Sequence, residues 1–243
     1  MKVTFVYAYY RNPAMFRRQM QEWAAYPDEI RNEIEFIITD DCSPKAPITQ
    51  CLADIPDGLN IRLFRITKKA AWNWLACRNI GAHHAKGQWV MLTDMDHMMS
   101  KENVQRLFNL IPQLYKNMVY LFTRQSAPDL SEYKPHDDSY FMKRDMFWSI
   151  GGYDEELAGN YGTAGRFRTR AIAKAKKLKR LNIPLIRFPR EVIKDASTTD
   201  LTRKLPNQEH QKRIERIEAK KAKQNRAHEV RVLSFPYEEI EIK

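Results

Sequence analysis

Short apolar runs alternate with amphipathic stretches along this chain, and the spacing of the apolar positions names the elements. Residues 3–9 read as a strand. Asn12-Pro13 then supplies an N-cap and a proline at the first helical position. Phe16, Met20, Trp23 and Ala24 recur on one face of the helix that follows, and Tyr26-Pro27 ends it. Further strands are predicted over 34–39, 61–66 and 89–93, and a helix over 68–85 has Gly87 just past its end as a cap. Ser100 opens a helix with Val104, Leu107, Phe108 and Ile111 on one side and Pro112 as its stop. A strand over 118–123, a long loop over 124–138, a short strand over 139–142 and a helical turn at 145–148 lead to a break at Gly151-Gly152. Beyond it come a basic helix over 168–181, a short strand over 184–188, a charged helix over 207–227 and an edge strand over 230–235. Strands that alternate with helices predict an α/β fold with a mainly parallel sheet.

Two of these strands run into carboxylates. Residues 34–39 are followed by Asp40-Asp41-Cys42-Ser43-Pro44, and the apolar run Trp89-Val90-Met91-Leu92 passes through Thr93 to Asp94-Met95-Asp96-His97. Strand ends of this kind lie at the carboxyl edge of a sheet, where open α/β folds bind ligands. Oxygen ligands there suit Mg²⁺ or Mn²⁺, which can bridge the phosphates of a nucleotide. Asp94, Asp96 and His97 are therefore candidate metal ligands, with a polar turn as the competing reading.

Composition adds limits. No apolar run among the 243 residues approaches a membrane span, and the β-prone start Lys2-Val3-Thr4-Phe5 does not read as a signal peptide. Cys42, Cys51 and Cys77 lack metal-type spacing and read as reduced thiols of a cytoplasmic protein. The net charge of +11 is regional, because 166–226 holds 20 Lys and Arg against 6 Asp and Glu. That asymmetry predicts a division into 1–165 and a basic, mostly helical extension over 166–243, packed on the first part or protruding from it. The charged helix has few apolar positions, chiefly Ile214 and Ile217, so it is expected to add little to a core. An anionic partner or plain solvation explains such a run.

The motifs, taken in order, resemble a known family. Phe36-Ile37-Ile38-Thr39-Asp40-Asp41-Cys42-Ser43, then Arg78-Asn79-Ile80-Gly81, then Leu92-Thr93-Asp94-Met95-Asp96 are similar to the nucleotide-sugar domain of family 2 glycosyltransferases and their GT-A relatives. Phe147 to Glu155, with Gly151-Gly152-Tyr153-Asp154-Glu155 at its core, looks like the acceptor-side motif of that group. The resemblance spans roughly residues 3–170. It implies a GT-A, Rossmann-like sheet flanked by helices, and transfer of a sugar from a nucleotide diphosphate donor, a UDP-sugar by preference, to a hydroxyl acceptor. Inversion and dependence on Mn²⁺ or Mg²⁺ through the DXD motif are implied as well.

The resemblance also implies roles. Asp41 or Asp40 would accept a hydrogen bond from the nucleotide base, with Tyr7, Tyr9 and Arg11 lining the base and ribose pocket. Arg78 would pair with a donor phosphate. Asp94 and Asp96 would hold the ion on the diphosphate, with His97 as a ligand or its support. Asn79 and Gly81 would serve helix capping and close packing. One departure stands out, since the family's usual Glu-Asp after a Tyr-Gly pair is here Ala164-Gly165. The base that takes the acceptor's proton is then Asp154 or Glu155, or else Asp137 or Asp138 of the long loop. His136, His210 and His228 read as surface residues. Two alternatives stay open: a nucleotide-sugar-binding protein without turnover, and a transferase whose acceptor is a nucleic acid base, as in viral DNA modification. A carbohydrate or a lipid-linked glycan is the ordinary acceptor.

Overall fold

The computed structural model describes residues 1–175, 177–199 and 206–242. Most of the expected elements form close to the expected bounds. Strand β1 is Val3–Tyr9, followed by α1 (Pro13–Ala24), a short α2 (Asp28–Arg31) and β2 (Ile34–Asp40). Next come β3 (Ile61–Ile66), α3 (Trp74–His84), β4 (Trp89–Asp94), a two-residue β5 (His97–Met98) and α4 (Lys101–Leu110). Then follow β6 (Val119–Ser126), β7 (Ser131–Tyr133), β8 (Tyr140–Lys143), α5 (Arg144–Ile150), α6 (Ala164–Ala175) and β9 (Leu178–Arg187). The last two are α7 (Asn207–Lys223) and β10 (Tyr237–Ile240).

The strands form one sheet in the order β10-β3-β2-β1-β4-β8-β6-β9-β5, with β7 hairpinned onto β6. Strands β3, β2, β1 and β4 are parallel, as are β6 and β9, while β8 runs antiparallel between β4 and β6. The carboxyl ends of β1, β2, β4, β6 and β9 and the amino end of β8 therefore meet along one edge. Alternation along β1 divides the core: Val3, Phe5, Tyr7 and Tyr9 pack into the cluster shared with α1 and α4. Val6 faces the cluster shared with α3, α5, α6 and α7. Trp23 of α1 stacks on Phe36 with ring centroids 4.3 Å apart, which pins that helix to β2.

Several boundaries depart from the expected ones, each for a local reason. The helix expected over 68–85 starts only at Trp74, and Gly87 does not cap it. A Cβ on Gly87 would lie 2.5 Å from the backbone of Val3 and Thr4, so its role is close approach to β1. Asn12 does not cap α1 with its side chain. Asp195 does so from far along the chain, its carboxylate accepting from Ala14 N and Met15 N at 2.7 and 2.9 Å. The long loop over 124–138 is partly sheet, because β6 continues to Ser126 and pairs back on β7. The basic helix ends at Ala175, and β9 takes over. The edge strand expected over 230–235 forms later, as β10, antiparallel to β3.

Residues past 165 are woven into the same sheet. Strand β9 lies between β6 and β5, and β10 closes the opposite edge, so the division expected at 165 does not separate two sheets. Helix α7 buries His210, Ile214 and Lys221, and residues 200–205 of the basic stretch lie outside the described residues. Among the described residues no helix is long and apolar enough to cross a membrane.

Candidate active site

A cavity of about 430 Å³ opens along the edge where β1, β2, β4, β6 and β9 end. Two of its flanks come from connections that follow no regular element: Trp72 before α3, and Tyr161 to Thr163 before α6. Trp72 and Tyr161 meet edge to face, centroids 5.4 Å apart, on its rim. Residues 196–199, after β9, complete the wall.

At the β1–β2 end stand Tyr9 and Asp41. Asp41 Oδ2 accepts from Asn73 N at 2.8 Å. Its Oδ1 is buried without a partner among the described residues. Burial pushes its pKa up to about 8. An orphaned buried oxygen on a residue that lines a cavity marks a candidate acceptor for a ligand's donor. Asp40, the other candidate, is spent on the loop: its two oxygens accept from Ser43 N and Ile48 N, both at 2.9 Å. Tyr9 donates its hydroxyl to Ala46 O at 2.6 Å. Tyr7 and Arg11 are not on the cavity. Tyr7 is fully buried against Trp23, centroids 5.4 Å apart. Arg11 takes part through its backbone, donating to Ser43 Oγ at 3.1 Å.

The centre of the cavity belongs to β4 and the segment after it. Asp94 and Asp96 line it together with His97, and His136 from the loop before β8 joins them. Ligand atoms of Asp94, His97 and His136 lie within 4.8 Å of one another, a spacing that suits a shared cation. Burial, and then the neighbouring His97, push the His136 pKa down to about 4, so its imidazole is neutral at pH 7 and free to act as a ligand. His97 is held by Asp96 Oδ1 at Nδ1 (2.8 Å) and by Arg124 Nη1 at Nε2 (2.9 Å). A guanidinium only donates, so Nε2 carries the lone pair and the proton sits on Nδ1. Asp96 thus orients His97.

Arg78 is fully buried. Its guanidinium pairs with Asp94 Oδ1 at 2.7 Å and with Asp138 Oδ2 at 2.8 Å, and it lies over the Trp74 ring. The expected phosphate contact is therefore replaced by an internal one: Arg78 fixes two carboxylates of the cavity wall. Asn79, next on α3, grips the Gly-Gly-Tyr-Asp-Glu element, donating to Tyr153 O at 2.7 Å and accepting from Tyr153 N at 2.9 Å.

Asp154 and Glu155, the expected bases, are off the cavity. Asp154 accepts from Lys221 Nζ at 2.6 Å, and Glu155 accepts from Asn79 Nδ2, Leu233 N and Ser234 N at 2.7–2.8 Å. Both carboxylates are consumed in docking the C-terminal chain. Of the loop alternatives, Asp137 pairs with Arg168 outside the cavity. Asp138 does line the cavity, and burial pushes its pKa up to about 7 against the opposing pull of Arg78.

Sequence reasoning missed His136, Arg124 and Arg187 as wall residues, and Trp72 and Tyr161 on the rim. None sits in a periodic pattern. The available signal was the length and polarity of the loop before β8, which carries His136 and Asp138 two residues apart.

A family model described as Glycosyl transferase family 2 matches residues 17–182. No curated protein matches the chain by sequence. Among solved structures, S. aureus TarS 1-349 superposes with a TM-score of 0.63 at 15% identity, over 94% of this chain and 74% of that one. The same protein in complex with UDP-GlcNAc gives 0.61 at 15% identity, over 86% and 69%. The mannosyltransferase PcManGT from Pyrobaculum calidifontis, in complex with GDP-Man and Mn²⁺, gives 0.55 at 14% identity, over 76% and 56%. At such identities the likeness to solved structures is one of fold, the GT-A arrangement of a mostly parallel sheet flanked by helices.

Proposed function

The chain belongs to glycosyl transferase family 2, and from that premise we propose that it transfers a sugar from a nucleotide diphosphate donor to a hydroxyl acceptor with inversion, in a metal-dependent reaction. One observation carries the reading: a single cavity holds an unpartnered buried carboxylate oxygen, Asp41 Oδ1, at one end and the Asp94, His97 and His136 group at its centre. The first suits the N–H of a nucleotide base, whose approach would favour the ionised form of a carboxyl that otherwise keeps its proton at pH 7. The second suits a divalent ion on the diphosphate. The bound donors in the related folds, UDP-GlcNAc in TarS and GDP-Man with Mn²⁺ in PcManGT, favour the same donor class. A UDP-sugar is the specific reading.

Asp94 and His136 would hold the ion, with His97 available once Arg124 releases its Nε2. A bound ion supplies neutralisation of the charge that grows on the departing nucleoside diphosphate. The chain's own residues do the rest. Arg78 keeps Asp94 and Asp138 in fixed positions, and Asp138 takes over the role of base that Ala164 and Gly165 leave open. The acceptor oxygen bonds to the anomeric carbon as the bond from that carbon to the phosphate oxygen breaks, and the hydroxyl proton passes to Asp138. A carboxylate tuned to near 7 is well matched to this task at neutral pH.

The test is a thermal-shift panel of nucleoside diphosphates with and without Mn²⁺, followed by donor turnover. Stabilisation by UDP that depends on Mn²⁺, with sugar transfer or donor hydrolysis, is the expected result. Binding without any turnover would leave a nucleotide-sugar-binding protein, and no binding of any nucleoside diphosphate would overturn the reading. For the base, Asp138→Asn is expected to lower kcat by roughly 10²–10⁴-fold with donor affinity nearly unchanged.

A further inference from the structure

Two arginines of the cavity wall have no anion among the described residues. Arg124 on β6 is 7% exposed, and Arg187 at the end of β9 is half-buried. Neither has a carboxylate within ion-pair distance among the described residues, although both line the cavity. The acids nearby are already engaged, Asp94 and Asp138 with Arg78 and Asp96 with His97. Both guanidiniums lie over the ring of Tyr133, at 4.7 and 4.9 Å from its centroid. Stacking of this kind holds a guanidinium by its face and leaves its N–H edges for other partners. Arg124 spends its Nε on Lys134 O and its Nη1 on His97, which leaves Nη2, and Arg187 has no side-chain hydrogen bond among the described residues. A buried cation without a counter-ion is costly, and a ligand anion would relieve the cost.

Their place in the sheet puts them beside the ion-binding group, on the side away from Asp41: Arg124 Nη1 is 2.9 Å from His97 Nε2, and Arg187 is the strand partner of His97. Asp41 follows β2, Asp94 ends β4, Arg124 is on β6 and Arg187 on β9. Along the sheet edge Asp94 is two strand steps from Asp41, at roughly 5 Å a step, and Arg124 and Arg187 come next on the same line, against His97. A donor with its base at Asp41 and its diphosphate at Asp94 occupies the first half of that line. On that placement the part of the line beyond the ion-binding group is left for the acceptor. A second cleft of about 410 Å³ shares Arg124 with the cavity and continues past Tyr133 to Arg106 and Arg180, with Glu132 its one acid. The basic lining thus leads outward from the reaction centre.

We propose that Arg124 and Arg187, braced on Tyr133, bind an oxyanion carried by the acceptor, a phosphate or a carboxylate close to the hydroxyl that receives the sugar. This rests on the donor placement proposed above. Arg187 supplies the forked, charge-assisted contact, and Arg124 adds charge from the wall.

The experiment fills the donor site with UDP and Mg²⁺ and then titrates glycerol 3-phosphate, glucuronate and uncharged glycerol at constant ionic strength, following the melting temperature. Expected is a further stabilisation by one charged probe and none by glycerol, and the tighter of the two charged probes names the anion. In Arg187→Gln the charged probe should bind about tenfold more weakly or worse. Three results would overturn the proposal: equal effects of charged and uncharged probes, displacement of UDP by the charged probe, or unchanged affinity in a folded Arg187→Gln. The wild-type competition decides the matter even if that variant does not fold. A failure of UDP to bind at all is read separately, in the first titration, and counts against the donor assignment instead.

Discussion

Asp41 shows how much a single side chain carries here. Its carboxyl keeps its proton to about pH 8 in the folded protein, whereas in an unfolded chain it ionises near pH 4. Between those values the native state binds one more proton than the unfolded state, so this group makes stability fall as pH rises from about 4 to about 8. Replacement by Asn removes that contribution. Urea titrations of Asp41→Asn across this range should show a slope shallower than wild type by up to about 1.4 kcal/mol per pH unit, together with weaker UDP binding. His136 is the second such residue. His136→Ala should weaken Mn²⁺ binding, read by calorimetry without any donor, by about tenfold or more, and should cost little stability because the imidazole packs at a cavity wall. Unaltered Mn²⁺ affinity would leave the ion to Asp94 and its neighbours on the β4 side.

At the scale of elements, α3 is the part on which the site depends. It carries Arg78 to the cavity and Asn79 to the Gly-Gly-Tyr-Asp-Glu turn, and it does so because Gly81 lets it sit close on β1. A Cβ at Gly81 would fall 2.3 Å from Val6 Cγ1. Gly81→Ala should therefore push α3 outward and cost about 1–3 kcal/mol, the usual range for overpacking. Chemical denaturation measures the loss. The same shift should reduce turnover, since Arg78 holds both Asp94 and Asp138. The turn at Gly151 and Gly152, with φ of +96° and +66°, brings Tyr153 back under α3, and there its hydroxyl donates to Asp138 Oδ1 at 3.1 Å.

For the whole molecule, the C-terminal chain acts as a strap across the α3 face. Lys221 of α7 is buried and pairs with Asp154, Ile214 joins the core, Leu233 and Ser234 bind Glu155, and β10 completes the sheet on β3. Ending the chain at residue 206 would take Lys221 from the buried carboxylate of Asp154, and would leave Glu155 with Asn79 but without Leu233 and Ser234. Loss of one partner of a buried ion pair alone costs about 3–5 kcal/mol. The truncated protein is expected to melt well below the full chain or to fail to fold, as thermal denaturation would show. Apart from Lys221, the charge of α7 is carried on its outer face, while its inner face is structural.

The periodicity of apolar positions determined the α/β class, most strand and helix bounds, and the carboxylates at the ends of β2 and β4, because each of these depends on neighbours within a few residues. The order of the motifs determined the family. Tertiary structure alone decided which carboxylates face the cavity. Asp40 and Asp41 are adjacent in sequence, yet one closes a loop and the other keeps a free oxygen. Asp154 and Glu155 lie in a motif, yet Lys221 and Ser234 claim them from far along the chain. His136 and Arg187 belong to the site only because β8 and β9 run beside β4 and β6, which no local pattern encodes. A side chain's chemistry depends on the partners that burial forces on it, and those partners come from segments distant in sequence.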